Sequence, residues 1–349
     1  MRPRPLALFI ALTLFATLGI TVQTPAQTKQ GQIITFDAPR AGLGSGQGTV
    51  PTSINPAGTI TGYYVDASYM YHGFVRDKDG IITTFDAGPN FTIPTGINPA
   101  GTITGNYQDA SGVTHGFVRD KDGIITTFDV PGAGSNGTFP AGINPRGEIT
   151  GIWTTGVLHG TVLHGFLRDA DGIITEFDAP DAGFNLTAPT GINPSGEITG
   201  RCRDAHFMFH GFVRAANGTF TTFDAPDADI NGTTPTSINP NGTITGNYED
   251  ANFRGHGFVR DKDGIIITFD AVPRFTMPIS INPSREITGY YFDVRGHGFV
   301  RDKDGIITTF DVPGAGSNGT FPVSINPSGE ITGSYSDTGN MSYGFLREP

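Results

Sequence analysis

Seven copies of one paragraph of sequence run through this chain, and they are cut out of phase with its ends. Each full copy reads Ile-Asn-Pro, then Ile-Thr-Gly, then His-Gly-Phe, then a block of the type Ile-Thr-Thr-Phe-Asp. Ile-Asn-Pro begins at Ile54, Ile97, Ile143, Ile192, Ile238, Ile281 and Ile325. The last copy stops after Phe345, Leu346 and Arg347 without its Phe-Asp block, while an orphan block, Ile34-Thr35-Phe36-Asp37, stands at the other end. A repeat spaced 41 to 49 residues apart overrides a domain count from length, because such units bury their apolar faces against their neighbours.

Fifty glycines and 25 prolines against 37% hydrophobic residues point to short strands and tight turns, and no segment beyond the N-terminus keeps a 3.6-residue apolar period. In the first copy the strands are expected to end at Ser53-Ile54-Asn55 and then to cover Thr59–Tyr64, His72–Arg76 and Ile81–Phe85, all rich in β-branched and aromatic types. Asn55-Pro56-Ala57-Gly58 and Asp77-Lys78-Asp79-Gly80 supply the hairpin turns, with glycine where a positive φ closes them. Arg285 replaces the turn glycine in one copy; a left-handed side chain there costs about 1 kcal/mol, and an altered turn is expected.

Four strands per unit and seven units predict an all-β fold, a seven-bladed β-propeller of four-stranded antiparallel blades. The expected blades cover residues 51–86, 94–129, 139–178, 188–224, 234–270, 277–311 and 321–347, the last completed by 32–37. An open solenoid would need distinct polar caps, whereas these ends complement each other: Gln32–Asp37 is expected to dock beside Tyr343–Arg347 and close the ring. Phe85, Phe128, Phe177, Phe223, Phe269 and Phe310 are expected to pack between blades, each worth about 1.5–3 kcal/mol of burial.

Arg2 and Arg4 precede an uncharged apolar run from Leu6 to Val22 and the small-residue site Thr24-Pro25-Ala26. Residues 1–26 therefore read as an export signal and 27–349 as one domain, secreted or periplasmic, with no stable membrane insertion after cleavage. The single cysteine, Cys202, forms no internal disulfide, so stability rests on packing. A formal charge of −11 argues against nucleic acid, whose binding is driven by Lys and Arg releasing counterions.

Ile-Asn-Pro-x-Gly-x-Ile-Thr-Gly followed by His-Gly-Phe resembles the repeat of the bacterial extracellular HAF-repeat family over nearly all of residues 51–347. Two departures stand out: the family's His-Ala-Phe is His-Gly-Phe here, and the block after it is Ile-Thr-Thr-Phe-Asp instead of an Asp-Leu-Gly type. The resemblance implies export and a repeat fold, and it carries no activity to any residue. Gly172-Ile173-Ile174-Thr175-Glu176-Phe177 is also similar to strands of streptogramin lyases, seven-bladed propellers, but their catalytic histidine and glutamate pattern has no counterpart here.

Six histidines recur at one position, His72, His115, His164, His210, His256 and His297, with Tyr343 in the seventh place. A ring of imidazoles around a channel is one reading. A hydrogen bond made once per unit, to the Asp of Phe-Asp or to Ser/Thr of the first strand, is the favoured one, because catalytic constellations need an asymmetric, converging set. Asp-x-Asp-Gly, at Asp77, Asp120, Asp169, Asp261 and Asp302, lacks the further oxygens calcium requires and reads as a solvated turn. Neither a metal site nor a cofactor is expected. The irregular third and fourth units hold Trp153, His159, Cys202 and His206, and Trp153, His159 and His206 are the candidate ligand-binding residues at the rim; no catalytic residue is assigned. Residues 115–151 and 297–333 agree at 34 of 37 positions, so units are interchangeable. The expected function is a monomeric, non-enzymatic binding or display scaffold for an extracellular macromolecule or glycan; the alternative is a propeller lyase or hydrolase acting at the channel or at the rim of the third and fourth blades.

Overall fold

The repeated runs of Ile, Thr, Tyr and Phe between glycine turns fold as strands. The computed structural model describes residues 31–349 apart from 135–136, 156–161, 181, 184–185, 230 and 273–274, so the expected export signal and His159 lie outside the described residues. β1 (Ile33–Phe36) is followed by β2 (Gly48–Ile54), β3 (Ile60–Val65), β4 (Tyr71–Arg76) and β5 (Ile82–Phe85), and β2 to β5 pair in order, each antiparallel to the next. The same ladder recurs in β6 to β9 (Phe91–Ile97, Ile103–Gln108, Thr114–Arg119, Ile125–Phe128) and in β10 to β13 (Thr138–Ile143, Ile149–Thr155, Val162–Arg168, Ile174–Phe177). It returns in β14 to β17 (Leu186–Ile192, Ile198–Arg203, Phe209–Arg214, Phe220–Phe223) and β18 to β21 (Thr233–Ile238, Ile244–Glu249, Gly255–Arg260, Ile266–Phe269). β22 to β25 (Thr276–Ile281, Ile287–Phe292, Gly296–Arg301, Ile307–Phe310) form another group.

The last group has three consecutive strands, β26 (Gly319–Ile325), β27 (Ile331–Ser336) and β28 (Ser342–Arg347). Its fourth is β1, antiparallel to β28 with Ile33 opposite Arg347 and Phe36 opposite Gly344. Several successive groups touch through a single parallel pairing of third strand to first, Tyr71 with Phe91, Leu163 with Leu186 and Gly296 with Gly319, and Ser342 of β28 meets Gly48 of β2 in the same way.

The first strands begin one to three residues before the expected boundaries. The reason is Pro51 and its equivalents, which lie inside the strand: the register shifts between Pro51 and Ser53, and likewise at Pro94, Pro140, Pro189, Pro235, Pro278 and Pro322. A bulge tolerates a residue without an N–H. At Arg285 the expectation of an altered turn fails: φ is 67°, in the range of Gly58 (79°), and Arg285 N–H donates to the Asn282 carbonyl at 3.0 Å as Gly58 does to Asn55.

The deepest side chains are the phenylalanines of His-Gly-Phe, Phe74, Phe117, Phe166, Phe212, Phe258 and Phe299, and Phe345 of the matching Tyr-Gly-Phe, all fully buried. The Ile-Thr-Gly hydroxyl ties each to the neighbouring strand, as Thr61 Oγ1 donating to the Phe74 carbonyl at 2.9 Å. The fourth-strand phenylalanines do lie between units: Phe85 meets Phe117 edge to face at 6.0 Å, Phe310 meets Phe345 at 6.1 Å, and Phe36 of β1 meets Phe74 at 6.2 Å. An arginine of the next unit covers each ring, Arg119 over Phe85, Arg347 over Phe310 and Arg76 over Phe36.

A second set of bonds joins the units at their first turns. Asn55 Oδ1 accepts the N–H groups of Ala57 and Thr59, closing its own turn, and its Nδ2 donates to the Asn98 carbonyl at 3.2 Å. Asn98, Asn144, Asn193, Asn239 and Asn282 each repeat this donation to the next asparagine, and Asn326 donates to Asn55 at 3.3 Å.

Candidate functional site

The recurring histidines stand at the start of the third strand, beside the aspartate that follows the fourth. Nδ1 of His72 lies 2.8 Å from Asp86 Oδ1, and the pairing recurs as His115 with Asp129, His164 with Asp178, His210 with Asp224, His256 with Asp270 and His297 with Asp311. In most units Nε2 faces a second carboxylate from the turn between strands two and three, such as Asp66 at 3.4 Å from His72. Burial of His115 acts to lower its pKa, but the hydrogen bonds and charges of Asp129 and Asp109 outweigh it and raise the value. Asp109 is held down at about 2, chiefly by the Ser111 hydroxyl and the Val113 N–H. Each imidazole is thus bound within its own unit, as the structural reading anticipated.

In most units an aromatic side chain from the second strand stacks on the ring: Tyr64 on His72 at 4.9 Å, Tyr107 on His115, Tyr248 on His256 and Tyr291 on His297. Trp153 occupies this same position in the third unit, 4.5 Å from His164, and is 7% exposed. Cys202, opposite His210 in the strand ladder, holds the position in the fourth and is fully buried. Trp153 packs with Val130, Ala133 and Phe166, whereas Cys202 belongs to a different core cluster with Ala179 and Phe212. His206 alone is at the surface, its side chain 86% exposed beside Asp204. Of the two described candidates, Trp153 is therefore a core residue and His206 a turn residue. Asp77 Oδ1, from the first Asp-x-Asp-Gly, accepts the N–H groups of Asp79 and Ile81 and serves its own turn.

Departures from the repeat gather elsewhere. In five units the turn between strands two and three holds a left-handed residue, which is Gly112 in the second unit and Asn340 in the last, but Tyr69, Phe207 and Phe253 in three others, with φ of 62°, 68° and 58°. Bulky side chains are disfavoured there, and these three are 60%, 48% and 71% exposed. Beside Phe253 a cleft of about 540 Å³ is lined by Asn252, Arg254, Phe275, Phe292 and Asp293. A second of about 490 Å³ shares Phe292 and adds Val294, Arg295, Asn318 and Phe321. Phe292 is held by Phe275 at 6.4 Å, Tyr290 at 5.5 Å and Phe321 at 6.0 Å. Reading the irregular third and fourth units missed this cluster, since its rings come from three successive units and only packing joins them. The available signal was an aromatic residue at a turn position where other copies place Gly112 or Asn340.

Among solved structures, the chain is similar to a catalytically inactive virginiamycin B lyase from Staphylococcus aureus solved with quinupristin, at 13% identity and a TM-score of 0.59 over 91% of this chain and 99% of the lyase. An acylaminoacyl peptidase from Pyrococcus horikoshii matches at 10% identity with a TM-score of 0.63, over 86% of this chain and 51% of the peptidase. A puromycin hydrolase matches at 13% identity with a TM-score of 0.54, over 84% of this chain and 50% of its own. At such identities the likeness establishes the fold alone: this is an all-β protein of repeated antiparallel strands, β-propeller-like in architecture. No protein-family model matches the chain, and no curated protein matches it in sequence.

Proposed function

We propose that the chain is a closed seven-bladed β-propeller, an exported relative of HAF-repeat proteins, acting in the secreted or periplasmic space as a monomeric, non-enzymatic binding scaffold for a macromolecule or glycan. Closure is supported by the pairing of β1 with β28, by Arg76 of the first unit over Phe36 of β1, and by the asparagine bonds that return from Asn326 to Asn55. Export rests on the apolar N-terminal run and the repeat resemblance.

The observation that carries the binding reading is the placement of Tyr69, Phe207 and Phe253, exposed aromatic rings at left-handed positions of equivalent turns. An outlier that is costly both in backbone and in exposed apolar surface favours a role for that surface. The enzymatic alternative draws no support from the histidines, each paired within its own unit. Binding of a panel of extracellular glycans and peptides tests the reading with two variants: Phe207→Ala/Phe253→Ala/Phe292→Ala on this face, and Ile81→Ser/Ile124→Ser/Ile306→Ser in the turns between strands three and four. Loss of binding in the first and retention in the second is expected. Loss only in the second, or turnover of a bound compound, would overturn the reading.

A further inference from the structure

Resting on that reading of the face, we propose that the cleft between Phe253 and Phe292 is a subsite for a neutral carbohydrate chain, whose pyranose rings stack on the two phenylalanines. A pyranose presents C–H groups on its faces and hydroxyls at its edge, so it needs an aromatic platform flanked by a few donors and acceptors. The cleft has that composition. Phe292 is the platform, fixed by Phe275, Tyr290 and Phe321 and by its N–H donating to the Phe275 carbonyl at 3.1 Å. Rigid aromatic surface loses little entropy on binding.

The polar edge is supplied by Asn252, Arg254 and Asp293. Arg254 is exposed, and its guanidinium forms no ion pair among the described residues. Asp293 is oriented by His297 Nε2 at 3.1 Å, which fixes an acceptor at the mouth. Charge selects the class further. A polyanion meets a chain of formal charge −11, and a polycation meets the Arg254 guanidinium in this cleft; a neutral polyol meets neither barrier. Because the second cleft shares Phe292, successive sugars of one chain would lie on both sides of that ring.

Affinity electrophoresis tests this with the full chain in gels carrying neutral polysaccharides (a glucan, a mannan and a galactan) or a polyuronate, comparing Phe253→Ala, Phe292→Ala and Ile306→Ala. Phe253 is exposed, so its variant keeps the test valid if Phe292→Ala fails to fold. Retardation by at least one neutral polymer is expected, weakened about tenfold or more in both phenylalanine variants and unchanged in Ile306→Ala. The proposal falls if no neutral polymer retards the protein. Retardation by the polyuronate alone, lost in Phe253→Ala, overturns the ligand class and leaves the face standing. Neutral retardation that survives both phenylalanine changes overturns the face as well.

Discussion

At the scale of single residues, the glycine of His-Gly-Phe and the phenylalanine of the fourth strand form one device. A Cβ on Gly73 would stand 2.7 Å from the Phe85 ring, and the same holds at Gly116 with Phe128 (2.6 Å), Gly211 with Phe223 (2.7 Å) and Gly344 with Phe36 (2.5 Å). The two departures from the His-Ala-Phe pattern are thereby a single physical choice: a ring laid over the third strand forbids the methyl group beneath it. Gly73→Ala is expected to cost about 1–3 kcal/mol by overpacking, and Phe85→Leu in the same chain should recover part of it. A double-mutant cycle in urea measures the coupling, and additive costs would contradict it. The pair of His115 and Asp109 contributes to the pH response. Raised in the folded state, His115 contributes stability that is fully present below pH 6.5 and lost as pH rises through its raised value, whereas Asp109, lowered to about 2, contributes above its ordinary range and loses it as pH falls toward 2. His115→Gln should therefore cost more at pH 5.5 than at pH 8.5, and Asp109→Asn more at pH 6 than at pH 2, both read from denaturant midpoints.

Elements were legible wherever one strand or turn carries its own signal. Strand order, the turn glycines and the His–Asp partnership all follow from types recurring at fixed offsets. The position of Trp153 was legible too: counting from Ile149-Thr150-Gly151 puts it where Tyr64 and Tyr107 stand in theirs. Its rarity as the chain's only tryptophan drew attention from that register. Pro51 misled in the other direction, because a strand that accommodates proline needs a bulge, which sequence does not display. The asparagine turns were visible as turns, but not their donation to the next unit. Asn98→Asp keeps the acceptor for Ala100 and Thr102 and removes the donor to Asn144. It should destabilise by at least about 1 kcal/mol, since a buried carbonyl loses its partner; unchanged stability by thermal unfolding would show the ladder to be incidental.

For the whole molecule, the central claim is that β1 locks a ring. Its pairing with β28 joins chain segments some three hundred residues apart, while Phe36 reaches forward to Phe74 and Arg76 of the first unit. The aromatic clefts depend on that arrangement only through the order of the units, which explains why they were hidden: Phe275, Phe292 and Phe321 are unremarkable within their own copies. The direct test is urea unfolding of a chain lacking residues 31–38, beside a circular permutant in which β1 follows β28 through an added Asp-Lys-Asp-Gly turn and the chain begins at Ala38. The deletion should lose at least about 2 kcal/mol, the burial of one phenylalanine being worth about 1.5–3, and the permutant should recover most of it. A deletion as stable as the parent chain, or a permutant no more stable than the deletion, would contradict closure by β1.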